Sequence, residues 1–165
     1  LKWIISGGDT AQESIRNGVF HLEDKCDSED IVVVHDGIRP LVDSSVLMDV
    51  IRKCEVYGNG VTSMPYNEQI FIKDDEISTF KYVPRETLRR VQTPQAYKFG
   101  LLDTIYHTAF EEGIGISGSS YTNTMMADMG VRLYFAAGSE RNIKLTTKDD
   151  LELFKAYVKM HSGLD

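Results

Sequence analysis

The chain has 165 residues, 42% of them hydrophobic and 10% aromatic, which suits one domain with a real core and excludes a disordered chain. A net charge of −7 and a pI near 5.1 exclude a broad nucleic-acid-binding face, which needs a basic surface to displace counterions. Eighteen consecutive apolar residues occur nowhere, no charged-then-apolar leader opens the chain, and Cys26 and Cys54 have neither framework nor metal-ligand spacing. A soluble, cytoplasmic protein with no membrane partner is therefore expected.

In chain order, "KWIIS" predicts a short strand running into the glycine turn "GGD". A helix follows in "TAQESIRNGVFHLED", with Ile15, Val19 and Leu22 at helical spacing. The run "IVVV", Ile31 to Val34, has no period-two alternation and predicts a strand buried on both faces, the kind found inside a parallel sheet. Ligands of such sheets bind just beyond the carboxyl ends of the strands, where His35, Asp36 and Arg39 fall. Gly37 permits the turn and Pro40 forbids a continued ladder. A local Asp36–Arg39 ion pair closing that turn is the other reading of the segment, and His35 is read as packing.

"DSSVLMDVIRKCEVYG" predicts a helix with Asp43 and Ser44 as capping candidates, Val46, Leu47, Val50, Ile51 and Cys54 on one stripe, and a stop at Gly58. "GVTSMP" reads as a strand, and "QIFIKDDEISTFKYV" as a β-hairpin turning through Lys73 to Glu76. That hairpin has too little apolar content to stand alone and must pack on something, such as a second subunit. "GLLDTIYHTAFEEG" carries Leu102, Ile105, Tyr106, Ala109 and Phe110 on one helical face. A Gly/Ser loop from Gly113 to Ser120, a short helix at "TNTMMADMG" and a strand at "VRLYFAA" come next. The last helix, in "TTKDDLELFKAYVKM", opens with Thr147 and Asp150 in a capping-box arrangement and is expected to face the core with Leu151, Phe154 and Val158. Strands alternating with helices make the chain α/β with a mainly parallel sheet.

Four motifs, "GGDTAQES", "VVVHDGIRPLV", "VPRETLRRVQTPQAY" and "SERNIKLTTKDDLELF", stand in order over nearly the whole chain. Together they resemble the cytidylyltransferases acting on polyol phosphates, the methylerythritol-phosphate and ribitol-phosphate enzymes. The resemblance implies a Rossmann-like nucleotidyltransferase sheet with a protruding hairpin arm over 70–81, within one domain over 1–165. That domain lacks the family's first βαβ portion and its glycine-rich triphosphate loop. Either the natural protein is longer, or the chain cannot hold CTP as the family does.

The implied reaction is attack of a polyol-phosphate oxygen on the α-phosphorus of CTP, with release of pyrophosphate. Asp36 matches the position that holds Mg²⁺ and the phosphates, and a carboxylate suits that hard cation. Gly8, Asp9 and Ser14 match the positions around the cytidine, although "GGD" alone reads as an ordinary strand-to-helix turn. Arg85 matches an arginine that reaches across a homodimer from the base of the arm to the polyol phosphate, a task suited to its planar fork. Lys144 matches a lysine that neutralises phosphate or developing charge. Thr93 and Thr122 match threonines around the substrate, with Pro94 and Gln95 able simply to shape a turn, and Arg39 orients Asp36 or touches phosphate. Arg89, Arg90 and Lys98 add local positive charge.

Glu68 and Gln69 stand where many relatives have Asp-Thr, and Asn123 where an aspartate is common, so another polyol or sugar phosphate becomes an alternative to methylerythritol phosphate. Two further readings stay open: a non-catalytic dimerisation or ligand-binding module that keeps the fold, and one domain of a bifunctional CDP-polyol-forming enzyme.

Overall fold

The computed structural model describes residues 1–118 and 121–162. Helix α1 (Ala11–Phe20) begins at Thr10, whose hydroxyl accepts the Glu13 amide while the Glu13 carboxylate accepts the Thr10 amide. This reciprocal cap satisfies amides that have no intrahelical partner. Strand β1 (Ile31–Val34), helix α2 (Ser44–Tyr57) and strand β2 (Asn59–Pro65) follow. Asp43 caps α2 without a side-chain hydrogen bond, and Gly58 closes the helix at φ 85°. The arm is β3 (Ile70–Ile72) paired antiparallel with β4 (Lys81–Val83). After one 3-10 turn come β5 (Arg89–Lys98), α3 (Phe99–Glu112), α4 (Thr122–Asp128), β6 (Phe135–Ala137) and α5 (Lys148–Ser162).

The main sheet has the order β1-β5-β2-β6. Strands β1 and β2 each pair antiparallel with β5, while β2 pairs parallel with β6, so β1, β2 and β6 share one direction and β5 opposes them. Successive strand residues point to opposite faces, and β1 divides its side chains accordingly. Val32 and Val34 pack on the cluster of Val19, Tyr97, Leu102, Tyr106, Met125 and Met126, while Ile31 and Val33 pack on Val50, Cys54, Ala96 and Ala136. Helix α2 thus covers one face, and α1, α3 and α4 cover the other. The approach of α2 to β2 requires glycine: a Cβ on Gly60 would lie 2.5 Å from the Val50 carbonyl oxygen.

Several expectations are corrected. The "KWIIS" segment forms no ladder, and Trp3, Ile4 and Ile5 are exposed. No described strand runs beside it to take its backbone bonds. Strand β1 is half-buried at one side of the described sheet rather than central, because β5 separates it from β2. The interior strands are β5 and β2, and of these β5 shows in the sequence only as a motif. Leu151 and Val158 of α5 are exposed and Phe154 is half-buried, since no described element packs extensively on that stripe. The Thr147–Asp150 cap does form: the Thr147 hydroxyl accepts the Asp150 amide, and Asp150 Oδ2 accepts the amides of Thr146 and Thr147. In the expected Gly113 to Ser120 loop, residues 119 and 120 lie outside the described residues.

Candidate functional site

A cleft of about 250 Å³ opens beyond the carboxyl end of β1, lined among others by Asp36, Arg39, Thr93, Tyr121, Thr122 and Lys144. Three distant segments bring its charged groups and Thr93 together. Asp36 leaves β1, Thr93 sits within β5 beside a cis Thr93–Pro94 peptide, and Lys144 lies in the loop after β6. Two bonds join the first and third segments: the Leu145 amide donates to the Ile38 carbonyl at 2.9 Å, and Arg39 Nη1 donates to the Asn142 carbonyl at 2.7 Å.

Asp36 is held at both ends. Its backbone amide donates to Thr93 Oγ1 at 3.0 Å, and its Oδ2 accepts Arg39 Nε at 3.1 Å with Lys144 Nζ 3.7 Å away. Arg39 is 12% exposed and Lys144 36%, so the arginine is locked in place while the lysine head still faces the cleft. Lys144 Nζ also stands 5.8 Å from the centroid of the Tyr121 ring, within the range of a cation–π attraction. The ion pair read as closing a turn therefore exists, and it occupies the cleft as well. His35 is exposed and its Nε2 meets the Arg39 carbonyl at 3.0 Å, a contact within the loop.

Thr122 is buried and is fixed from behind. Tyr106 donates its hydroxyl proton to Gln12 Oε1 at 3.0 Å, so the Thr122 hydroxyl, 2.7 Å away, donates to Tyr106. Burial pushes the Tyr106 hydroxyl up to about 12, against a smaller opposing effect of the Thr122 bond. This chain ties α1, α3 and α4 together behind the cleft.

The other expected residues lie elsewhere. Ser14 Oγ accepts the Gly8 amide at 3.0 Å and donates to the Thr10 carbonyl at 2.9 Å, while the Asp9 amide bonds Glu13 Oε2 at 2.7 Å. Gly8, Asp9 and Ser14 thus form the turn into α1, outside the cleft's lining but adjoining Ile15, which belongs to it. Arg85 lines a second pocket of about 420 Å³ at the base of the arm, with Gln69, Phe71 and Tyr82. Arg90 pairs with Glu140, Lys98 with Glu29, and Arg89 bonds Ser63 Oγ.

The sequence reading missed Asn142, Gln92, Tyr106 and Gln12, all buried polar residues of this site or its support. Asn142 stands in the quoted "NIK" and Gln92 in "QTPQ", so the motifs contained them. Their burial was the missing signal.

An α/β sheet that brings one carboxylate and two cations together beyond a strand end, with no cysteine or histidine among the described lining residues, defines a domain for phosphoryl or nucleotidyl transfer by positioning and charge neutralisation. The family model of 2-C-methyl-D-erythritol 4-phosphate cytidylyltransferase matches residues 2–160, and the chain belongs to that family. It is 64% identical over 159 residues to a ribitol-5-phosphate cytidylyltransferase of Lacticaseibacillus paracasei, covering 96% of this chain and 68% of the relative. It is 34% identical over 163 residues to a 2-C-methyl-D-erythritol 4-phosphate cytidylyltransferase of Clostridium acetobutylicum, covering 98% and 68%. The crystal structure of 2-C-methyl-D-erythritol 4-phosphate cytidylyltransferase from Thermus thermophilus superposes with a TM-score of 0.78 at 27% identity, over 93% of this chain and 72% of that one. The chain thus spans about two thirds of the length of these relatives.

Proposed function

We propose that the protein transfers CMP from CTP to ribitol 5-phosphate, or a closely similar polyol phosphate, with release of pyrophosphate. The observation that carries this reading is the meeting of Asp36, Arg39, Thr93 and Lys144 in one cleft. The higher identity to the ribitol-5-phosphate enzyme supports ribitol 5-phosphate over methylerythritol phosphate as acceptor. So do Glu68, Gln69 and Asn123, which depart from the methylerythritol pattern; Asn123 lines the cleft.

A phosphate monoester is largely dianionic at neutral pH, its second pKa being about 6, so its oxygen needs no general base. That oxygen forms a bond to the α-phosphorus of CTP while the bond from the α-phosphorus to the α,β-bridging oxygen breaks, and pyrophosphate leaves with that oxygen and the electron pair. Lys144, facing the cleft, neutralises charge on the phosphate oxygens. Arg39 already bonds Asp36 and Asn142, so it serves to orient Asp36. Asp36 Oδ2 is taken by Arg39, while Oδ1 carries no hydrogen bond to a described residue and fits a hard cation. Magnesium typically takes one or two carboxylates and completes its shell with substrate phosphates and water. Mg²⁺ held there would supply further neutralisation of the phosphates. The grouping of Glu23, Asp103 and His107 does not line this cleft.

Gly8, Asp9 and Ser14 are proposed for the cytidine, and Thr93 and Thr122 for shaping the substrate side. The arm is proposed as the contact of a homodimer, with Arg85 serving the partner's acceptor phosphate. The exposed Phe71, Ile72, Ile77, Phe80 and Tyr82 support that arrangement, as does the separation of Arg85 from the Asp36 cleft.

The test is pyrophosphate release by the protein as its gene encodes it, with CTP and either polyol phosphate. Asp36→Ala and Lys144→Ala should each lower turnover by about 10² to 10³, the range for removing one transition-state stabiliser. Wild-type rates in both variants would remove those roles. Absence of turnover in the wild-type protein with either acceptor would favour a non-catalytic module.

A further inference from the structure

Asn142 is 0% exposed although it lies in a loop. Its Nδ2 donates to the Thr93 carbonyl at 2.7 Å and to Gln92 Oε1 at 3.4 Å, and Gln92 Nε2 braces the same loop at the Ser139 carbonyl, 3.1 Å away. Its backbone carbonyl accepts Arg39 Nη1 at 2.7 Å. Both partners continue to Asp36: Thr93 Oγ1 accepts the Asp36 amide, and Arg39 Nε bonds the Asp36 carboxylate. Asp36 is thus gripped at its backbone and at its side chain by two groups that Asn142 itself holds. Lys144 follows Asn142 by two residues.

Burying an amide costs free energy wherever a hydrogen-bonding group stays unpaired. Asn142 Oδ1 is such a group, with no partner among the described residues. An apolar side chain of similar size would leave the Thr93 carbonyl without this donor, so the amide serves to hold β5 while its own Oδ1 stays without a described partner. What the amide and carbonyl together provide is a fixed relation between β5, the Asp36 loop and the Lys144 loop.

We infer that Asn142 is a positioning residue for the transfer reaction, setting the separation of Asp36 and Lys144 through Thr93 and Arg39. The inference rests on the cytidylyl-transfer reading and deepens it. The chemistry it serves is sensitive to such spacing, since a displacement of about 1 Å can cost about 10²-fold in rate.

The experiment is a double-mutant cycle on the protein as its gene encodes it, reading kcat and KM for CTP with ribitol 5-phosphate as acceptor, alongside thermal unfolding. Asn142→Ala should lower kcat by about 10²-fold, with KM for CTP far less affected. Arg39→Ala should cost a similar factor, and the double variant little more than the worse single, because both break one linkage. Losses in kcat that multiply in the double variant and track the fall in Tm would mean a structural role only and overturn the inference. Arg39→Lys, which carries no folding risk from a core truncation, keeps the charge beside Asp36 but cannot also reach the Asn142 carbonyl with a fork. It should show the same kcat loss, and wild-type kcat in this variant would overturn the inference even where Asn142→Ala does not fold. No turnover in the wild-type protein would overturn the functional reading and the inference together, whereas wild-type turnover undiminished by either substitution would overturn the inference alone.

Discussion

Tyr106→Phe removes one oxygen atom from a side chain that is 0% exposed and keeps its ring. The hydroxyl lost is the one between Thr122 Oγ1 at 2.7 Å and Gln12 Oε1 at 3.0 Å. Two hydrogen bonds at a net contribution of about 1 kcal/mol each give an expected loss of about 2 kcal/mol. That is roughly a thirtyfold fall in the ratio of folded to unfolded protein. With an m-value of about 2 kcal/mol/M, the urea midpoint should fall by about 1 M while m stays constant. Because burial pushes this hydroxyl up to about 12, the donor keeps its proton through neutral and mildly alkaline conditions. The loss should therefore be the same at pH 6 as at pH 9. Equilibrium urea unfolding of wild type and variant, followed by far-UV circular dichroism at both pH values, is the assay. A midpoint unchanged within about 0.2 M, or a loss that vanishes at the higher pH, would refute the claim that this hydroxyl fastens α1 and α4 to α3.

Gly60→Ala should destabilise by about 1 to 3 kcal/mol in the same measurement, because the new methyl would sit 2.5 Å from the Val50 carbonyl oxygen and 2.9 Å from Lys53 Cβ; a neutral result would show that α2 can lift from β2 at no cost. The amide of Thr146 first, with the Thr147 hydroxyl and amide, holds the Asp150 carboxyl down to about 2 from an ordinary 3.8. A folded-state pKa below the unfolded value gives stability that is fully present above about 3.8 and is lost as pH falls toward 2. Asp150→Asn should remove that acid-sensitive increment, and a helical signal that decays identically in wild type and variant over this window would contradict the cap's role.

Some elements could be read directly because local pattern and tertiary environment agree. Helix α3 shows this: Leu102, Ile105, Tyr106 and Ala109 recur at helical spacing and are all buried. The α2 stripe behaves alike, with Val46, Val50 and Cys54 inside. Strand β5 failed to announce itself because Pro94 interrupts it and Gln92, Thr93 and Gln95 look like loop residues. They tolerate the interior because each finds a partner there, as when Tyr97 donates its hydroxyl to Gln95 Oε1 at 2.7 Å. The α5 stripe misled in the opposite sense. Its period is helical, yet periodicity specifies a face and not what lies against that face.

The sequence by itself determined the chemical inventory of the site: a carboxylate after an apolar strand, an arginine three residues on, a threonine before Pro94 and a lysine within "NIK". It also determined the family, because four motifs in order constrain far more than any one of them. Only the tertiary structure decided which of these groups meet. Arg39 and Asn142 are 103 residues apart, and no local spacing relates them. Their contact exists because β5 inserts between β1 and β2 while β6 adds beyond β2, so that the loops leaving β1 and β6 are joined by the Arg39–Asn142 and Leu145–Ile38 bonds. Asn142 illustrates the division most sharply. In the sequence it is one polar residue in a loop, and its consequence arises from burial, which a one-dimensional pattern does not contain.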